Sequence, residues 1–164
     1  MNIHRLIHPI QCGLSILCVW LLAGTCRMSS AADASEAKAL DGLWIPIKAE
    51  LAGQPMADAV LKTITLKIEN GRYEVMVGGA LDAGTVTLES YAHPKAMKIS
   101  GVKGPNAGKV FPAIYELKSG TLRVCYDLSG AKTPTEFKTS PGTQLYLVTY
   151  RRQAADHGNQ ATPR

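Results

Sequence analysis

Short runs of alternating apolar and polar residues, separated by Gly, Pro, Asn and Ser, fill the chain from about residue 42 to residue 152. A period of two marks half-buried strands, because successive side chains point to opposite faces of a sheet. Ile64, Leu66 and Ile68 alternate with Thr63, Thr65 and Lys67, and Asn70-Gly71 then supplies the positive φ angles of a tight hairpin before Tyr73, Val75 and Val77 resume. Gly78-Gly79 together with Asp82-Ala83-Gly84 reads as the next turn region, followed by a strand through Val86 and Leu88. His93-Pro94 interrupts, and Met97 and Ile99 restore the alternation. The stretch from Gly101 to Lys109 is a polar, glycine-rich loop, and Lys109 to Leu117 is the next strand. Ser119-Gly120 turns the chain into Leu122, Val124 and Tyr126, which alternate with Arg123, Cys125 and Asp127. Ser129 to Gly142 is a longer loop carrying Pro134 and Pro141, and Thr143 to Arg151 is the last β-prone run.

Only Met56 to Leu61 suggests a helical turn. The predicted class is therefore all-β, with about eight short strands joined in sequence. A meander of this kind escapes exposed sheet edges by closing, so the expected architecture is a small antiparallel up-and-down barrel. Ile64, Leu66, Ile68, Val75, Val86, Leu88, Ile114, Leu122, Val124 and Leu147 are expected to point inward.

The segment before the barrel has a different character. Arg5 precedes an apolar run from Ile10 to Gly24, and small residues follow at Ser29-Ser30-Ala31-Ala32. This is the pattern of a signal peptide over residues 1–32 with cleavage after Ala32, and cuts after Ala31 or Ala34 fit nearly as well. The run is short of the roughly 20 apolar residues of a membrane span, so the processed chain is not expected to span a membrane. Leu22-Ala23-Gly24-Thr25-Cys26 resembles a lipoprotein cleavage site but places its leucine one position too early, so plain cleavage is favoured over lipid anchoring at Cys26. Residues 33–39 then form a short polar segment, 40–152 the barrel domain and 153–164 a disordered tail. Export leaves periplasm, envelope and secretion open as destinations.

Cys12, Cys18 and Cys26 leave with the leader, so Cys125 has no partner for a disulfide. Arg5 and Arg27 leave too, and no acidic residue does, which lowers the formal net charge from +5 to +3. The remaining lysines are dispersed, which argues against a nucleic-acid partner.

Gly42-Leu43-Trp44 is similar to the Gly-x-Trp signature that opens the barrel in lipocalins and related calycins, and Arg151 or Arg152 closes the final strand. The resemblance implies a tryptophan plugging the closed end beneath a late arginine, for which Arg151 is the first candidate. From Leu40 to Arg152 the pattern also resembles a family of bacterial exported domains, abundant in planctomycetes, with a lipocalin-like fold. The elements that carry this are Leu40-Asp41-Gly42-Leu43-Trp44, Gly53-Gln54-Pro55, Pro94-Lys95-Ala96-Met97, Gly104-Pro105, Gly108-Lys109, Ile114-Tyr115-Glu116-Leu117, Leu122-Arg123-Val124-Cys125-Tyr126 and Pro134-Thr135-Glu136-Phe137. Thr133 stands where that family usually has an arginine, and His93 lies near a place where it often has an aspartate. The family brings no activity with it, so the resemblance bears on fold.

Chemistry-bearing motifs are sparse. His93 and His157 lack metal-ligand spacing, and no cofactor site is expected. No Gly-x-Ser-x-Gly elbow is present. Cys125 sits in an apolar strand without a basic neighbour to activate it, so it reads as a structural thiol. No catalytic residue is expected; an enzyme would have to build a polar site at the barrel mouth from His93, Lys95, Glu116 or Glu136. The leading expectation is a module that binds a small apolar or amphipathic molecule, with Tyr73, Val75, Leu88, Ile114, Val124 and Tyr126 as cavity lining. The alternative is a non-catalytic structural or protein-interaction domain of the cell envelope. Tyr115, Tyr146, Tyr150, Phe111 and Phe137 could line such a cavity or fill the barrel.

Overall fold

A computed structural model describes residues 31–154. The expectations for the leader run, for Cys26 and for the tail beyond Ala154 concern residues outside that range.

The strand pattern closes on itself. Strands β1 (Gly42–Leu51), β2 (Gln54–Pro55), β3 (Ile64–Glu69), β4 (Arg72–Val77), β5 (Ala80–Glu89), β6 (Ala96–Lys103), β7 (Val110–Lys118), β8 (Thr121–Asp127) and β9 (Leu145–Arg152) form one antiparallel sheet. Its order follows the sequence, and β1 also pairs with β9 from Trp44↔Arg152 to Leu51↔Tyr146, which seals the barrel. The two-residue β2 hangs on the end of β1, so eight strands make the wall. Helix α1 (Ala31–Leu40) precedes the barrel, and the single turn α2 (Asp58–Leu61) sits between β2 and β3.

Turn chemistry sets the register. Ala52-Gly53, Asn70-Gly71, Gly78-Gly79 and Ser119-Gly120 each place two consecutive residues at positive φ, and each joins directly paired strand ends. This backbone twist matches the right-handed twist of the strands it joins. The chain needs no further turn at Asp82-Ala83-Gly84, contrary to the sequence expectation: that triplet lies within β5, and a bulge falls between Ala83 and Gly84. Gly84 is there because a Cβ at this position would run into the Ser100 carbonyl oxygen and the Tyr73 ring.

One end of the barrel is closed. Trp44 is fully buried there, its Nε1 donates to the Leu40 carbonyl over 2.9 Å, and the Arg152 guanidinium lies 4.2 Å from its ring centre. Arg152 also donates to the carbonyls of Ala39 and Asp41. Three carbonyls at the end of α1 are thus satisfied by two side chains of the floor, and the cation faces the negative end of the helix dipole. Gly42 has φ +144°, and any Cβ there would collide with Arg152.

The arginine over the tryptophan is therefore Arg152 and not Arg151. Cross-strand partners share a face, so Arg152, opposite Trp44, points inward, while Arg151, opposite Ile45, is exposed. The polar segment at 33–39 is helical and docked. Asp33 accepts from the Ser90 backbone N–H and hydroxyl, and Glu36 accepts from Lys95 over 2.8 Å.

The main core runs from this floor up the barrel axis. Leu66, Ile68, Tyr73, Met97, Tyr115, Leu122, Val124, Val148 and Tyr150 all belong to it. A second, smaller cluster lies outside the wall. Ala96, Ile114 and Cys125 are buried there beneath Ala92, Phe137 and Leu147. Ile114 and Leu147, both expected inside, face this outer cluster, because Phe111, Ala113 and Tyr115 hold the inner face of β7 and Tyr146, Val148 and Tyr150 that of β9.

The cover is the long connection between β8 and β9. Asp127 starts it by accepting from the Ser129 and Lys132 backbone N–H groups and from the Ser129 hydroxyl at 2.5 Å. Arg123 then lies 4.8 Å from the Phe137 ring centre and donates to its carbonyl, and Thr139 receives the Gly53 N–H. Among the described residues no helix is long and apolar enough to cross a membrane.

Candidate functional site

The open end is formed by the Ala52-Gly53 and Gly78-Gly79 turns, the loop of residues 104–109 and the start of the β8–β9 connection. Between them the barrel holds an apolar cavity of about 170 Å³. Ile64, Val75, Val86, Phe111 and Val124 are among its walls, and Ile68, Met97 and Leu122 lie on the floor side above Trp44. Val77 and Leu128 line the cavity and are also exposed, so it reaches solvent between the ends of β4 and β8. Helix α2 packs against β1 at this end, with Leu61 buried in the main core and Met56 packed against that core.

Tyr73, Val75, Val124 and Tyr126 line this cavity, as the sequence suggests for them. Leu88 does not. It is an inward residue of β5 packed on the core, but it pairs with Met97 near the floor, below the open space. Ile114 is on the outer face, as described above.

The polar features of the cavity are few and specific. Tyr126 and Tyr146 stack with ring centres 5.8 Å apart and an interplanar angle of 22°, and Tyr150 directs its hydroxyl toward that of Tyr126. Burial pushes the phenol pKa of Tyr126 and Tyr150 upward, and that of Tyr146 up to about 12. These hydroxyls therefore stay protonated across the physiological range and offer both a donor and an acceptor.

One carboxylate, Asp82, also lines the cavity while being only 7% exposed. The Tyr73 hydroxyl donates to it over 2.8 Å and the Asn106 backbone N–H over 3.0 Å. Burial, followed by this hydrogen bond, raises the Tyr73 pKa. Asp82 thus fastens the 104–109 loop to the barrel wall with both oxygens engaged, and it gives the mouth a fixed shape.

The polar residues considered for an enzyme site are not brought together. Lys95 pairs with Glu36 beneath α1, His93 is exposed at the closed end, Glu116 is exposed on the outer wall, and Glu136 is exposed on the β8–β9 connection. None of the four lines the cavity. They fail to converge because β7, the 90–95 turn and the connection present them on outward or closed-end positions. Cys125 is fully buried under the connection, where burial raises its thiol pKa against the pull of the Lys138 backbone and Arg123. A raised pKa keeps the thiol protonated and unreactive.

Tyr115 is a different case. Its ring is 1% exposed and its hydroxyl makes no hydrogen bond of normal geometry, while burial and the nearby carboxylates of Glu36 and Asp33 push its pKa up. It belongs to the floor beneath α1 and stands apart from the cavity.

Sequence reading did not single out Asp82, Asn106 or Leu128 as cavity residues. Asp82 sits in a glycine-rich stretch that looks like a turn. No protein-family model matches the chain, and no curated protein sequence matches it significantly. Function therefore has to be argued from the cavity itself.

Proposed function

We propose that the chain is exported and that its barrel binds a small apolar or amphipathic molecule. The observation that carries this reading is the apolar cavity, open at one end and provided with unionised tyrosine hydroxyls at its wall. Solvent-exposed apolar walls are costly to leave wetted, at roughly 25 cal/mol for each Å², so an apolar guest gains by displacing water from them. The hydroxyls of Tyr126, Tyr146 and Tyr150 orient a guest with one polar atom and add little affinity for a fully hydrated one.

Size restricts the guest. At about 170 Å³ the space is close to the ~150 Å³ cavity that accepts benzene and below the ~300 Å³ at which drug-sized pockets begin. A ring compound of that size, or one end of an alkyl chain, fits.

Export is supported by Arg5, the apolar run to Gly24 and the small residues before Asp33. Membership in the exported family that the Leu40-to-Arg152 pattern resembles is part of the same proposal. A cut after Ala32 leaves Asp33, which ties α1 to Ser90, in the mature chain.

Native mass spectrometry of the protein purified gently from its own host tests the reading. A reproducible small additional mass that denaturation removes is expected, and organic extraction identifies it. A bare mass that picks up no apolar compound offered at millimolar concentration contradicts it and leaves the envelope-interaction domain as the better account.

A further inference from the structure

Exposed apolar side chains are not spread over this barrel. Among the described residues ten large ones stand exposed, and only Ile47 and Tyr91 lie away from the open end. The Gly78-Gly79 hairpin displays Met76, Val77 and Leu81, while Leu51 ends β1 and Val60 lies on α2. Val102 and Val110 flank the 104–109 loop, and Leu128 follows β8.

Cations without an ion-pair partner also collect at this end. Lys62 follows α2, Lys103 and Lys109 bracket the 104–109 loop, and Lys132 begins the β8–β9 connection. All four are exposed, and none joins the ion pairs of the described residues, which engage Lys38, Lys48, Lys67, Lys95 and Lys98 instead. Exposed carboxylates are fewer: Asp58 on α2, Glu74 across Ala83 from Lys103, and Glu136 further along the connection that carries Lys132, whereas Asp82 and Asp127 are buried and hydrogen-bonded. Apolar side chains interleaved with unpaired cations are the composition that binds an anionic lipid interface, with the cations at the headgroups and the apolar groups at the acyl boundary.

The cavity adds the second argument. It is too small to enclose a whole amphipathic lipid, so the headgroup and the rest of any bound chain must remain at the mouth. We infer that the open end of the barrel docks on an anionic lipid bilayer, with the mouth facing the surface so that the end of one acyl chain can enter the cavity. This rests on the reading that the cavity takes an apolar guest. The apolar residues ring an apolar opening, which suits a fluid lipid surface; an acidic protein would meet the lysines but leave that opening uncovered.

Hydrogen exchange of the full chain, followed by mass spectrometry, tests the docking locally and independently of any contact made by the leader. Vesicles of phosphatidylcholine with an equal part of phosphatidylglycerol are compared with phosphatidylcholine alone. Slower exchange is expected in peptides covering residues 76–81 and 102–110 with the anionic vesicles only. The Lys103→Glu/Lys109→Glu variant, altered at exposed side chains, is expected to bind about tenfold more weakly or worse and to lose the protection.

Unchanged exchange in those peptides overturns the docking, as does protection that survives charge reversal. Protection that grows with protein concentration without vesicles assigns the face to a second copy and overturns it as well. Soluble decanoate without vesicles separates the two readings. If decanoate binds and the vesicles leave the mouth unprotected, the docking alone falls; if decanoate does not bind, the cavity reading falls.

Discussion

Arg152 ties the closed end together. It covers Trp44 and satisfies two carbonyls at the end of α1, so Arg152→Ala removes a cation–π contact and strands polar groups in the floor. A loss of about 2 to 4 kcal/mol in unfolding free energy is expected in denaturant titration. Its neighbour Arg151 is exposed, and Arg151→Ala is expected to stay within about 0.5 kcal/mol of the parent. An equal cost at both positions contradicts the assignment. Nothing in the dipeptide Arg151-Arg152 tells which side chain turns inward. The parity is set across the sheet, by pairing with Trp44, and the bulge between Pro46 and Lys48 in β1 shifts it again along the strand.

Among the elements, the β8–β9 connection is the one the sequence describes least well. Its length, prolines and lack of alternation are legible as a loop, but its packing over Cys125, Ile114 and Leu147 is not. The run from Phe111 to Tyr115 is buried on both faces, so β7 loses the alternation that would show which side chains face the axis. Asp127 gives the connection a pH dependence. Burial opposes its charge, yet hydrogen bonds from Ser129, Lys132 and Ala131 outweigh this and hold its pKa below the ordinary 3.8. A lowered pKa stabilises the fold above the ordinary value, and that stabilisation is lost as pH falls through the depressed one. The connection should therefore loosen in acid before the barrel does. Asp127→Ala, which leaves the Ser129 and Lys132 N–H groups without their acceptor, is expected to cost about 1 to 3 kcal/mol. It should also speed alkylation of Cys125, read at the level of its peptide. Alkylation no faster than in the parent protein contradicts the proposed cover. The α1 segment is likewise hidden from sequence reading, because its alanine-rich stretch has no apolar stripe and is held by Asp33, Glu36 and Leu40.

Across the whole molecule, the alternating runs and paired turn residues were enough to imply an eight-stranded closed meander, because period and turn chemistry are local properties. The size of the cavity was not legible, since it depends on how Tyr73, Tyr126, Tyr146 and Tyr150 share the interior. Those tyrosines, with Tyr115, give the barrel an alkaline limit. Burial raises all five phenol pKa values above the ordinary 10.0. A raised pKa contributes stability in full below the ordinary value and loses it as pH climbs toward the folded one. Phenolate absorbance of these five is thus expected to appear together with loss of β-sheet circular dichroism above pH 10.0. Their ionisation with the sheet intact contradicts that packing. Calorimetric titration with saturated fatty acids of increasing length tests the cavity most directly, for the parent protein and for Val75→Trp, whose larger side chain fills the space. Each methylene buried contributes about 0.8 kcal/mol, so affinity should climb about fourfold per carbon, level off once the cavity is full, and collapse in Val75→Trp. Absence of saturable binding, or binding that ignores both chain length and the substitution, would show that the barrel does not use its interior.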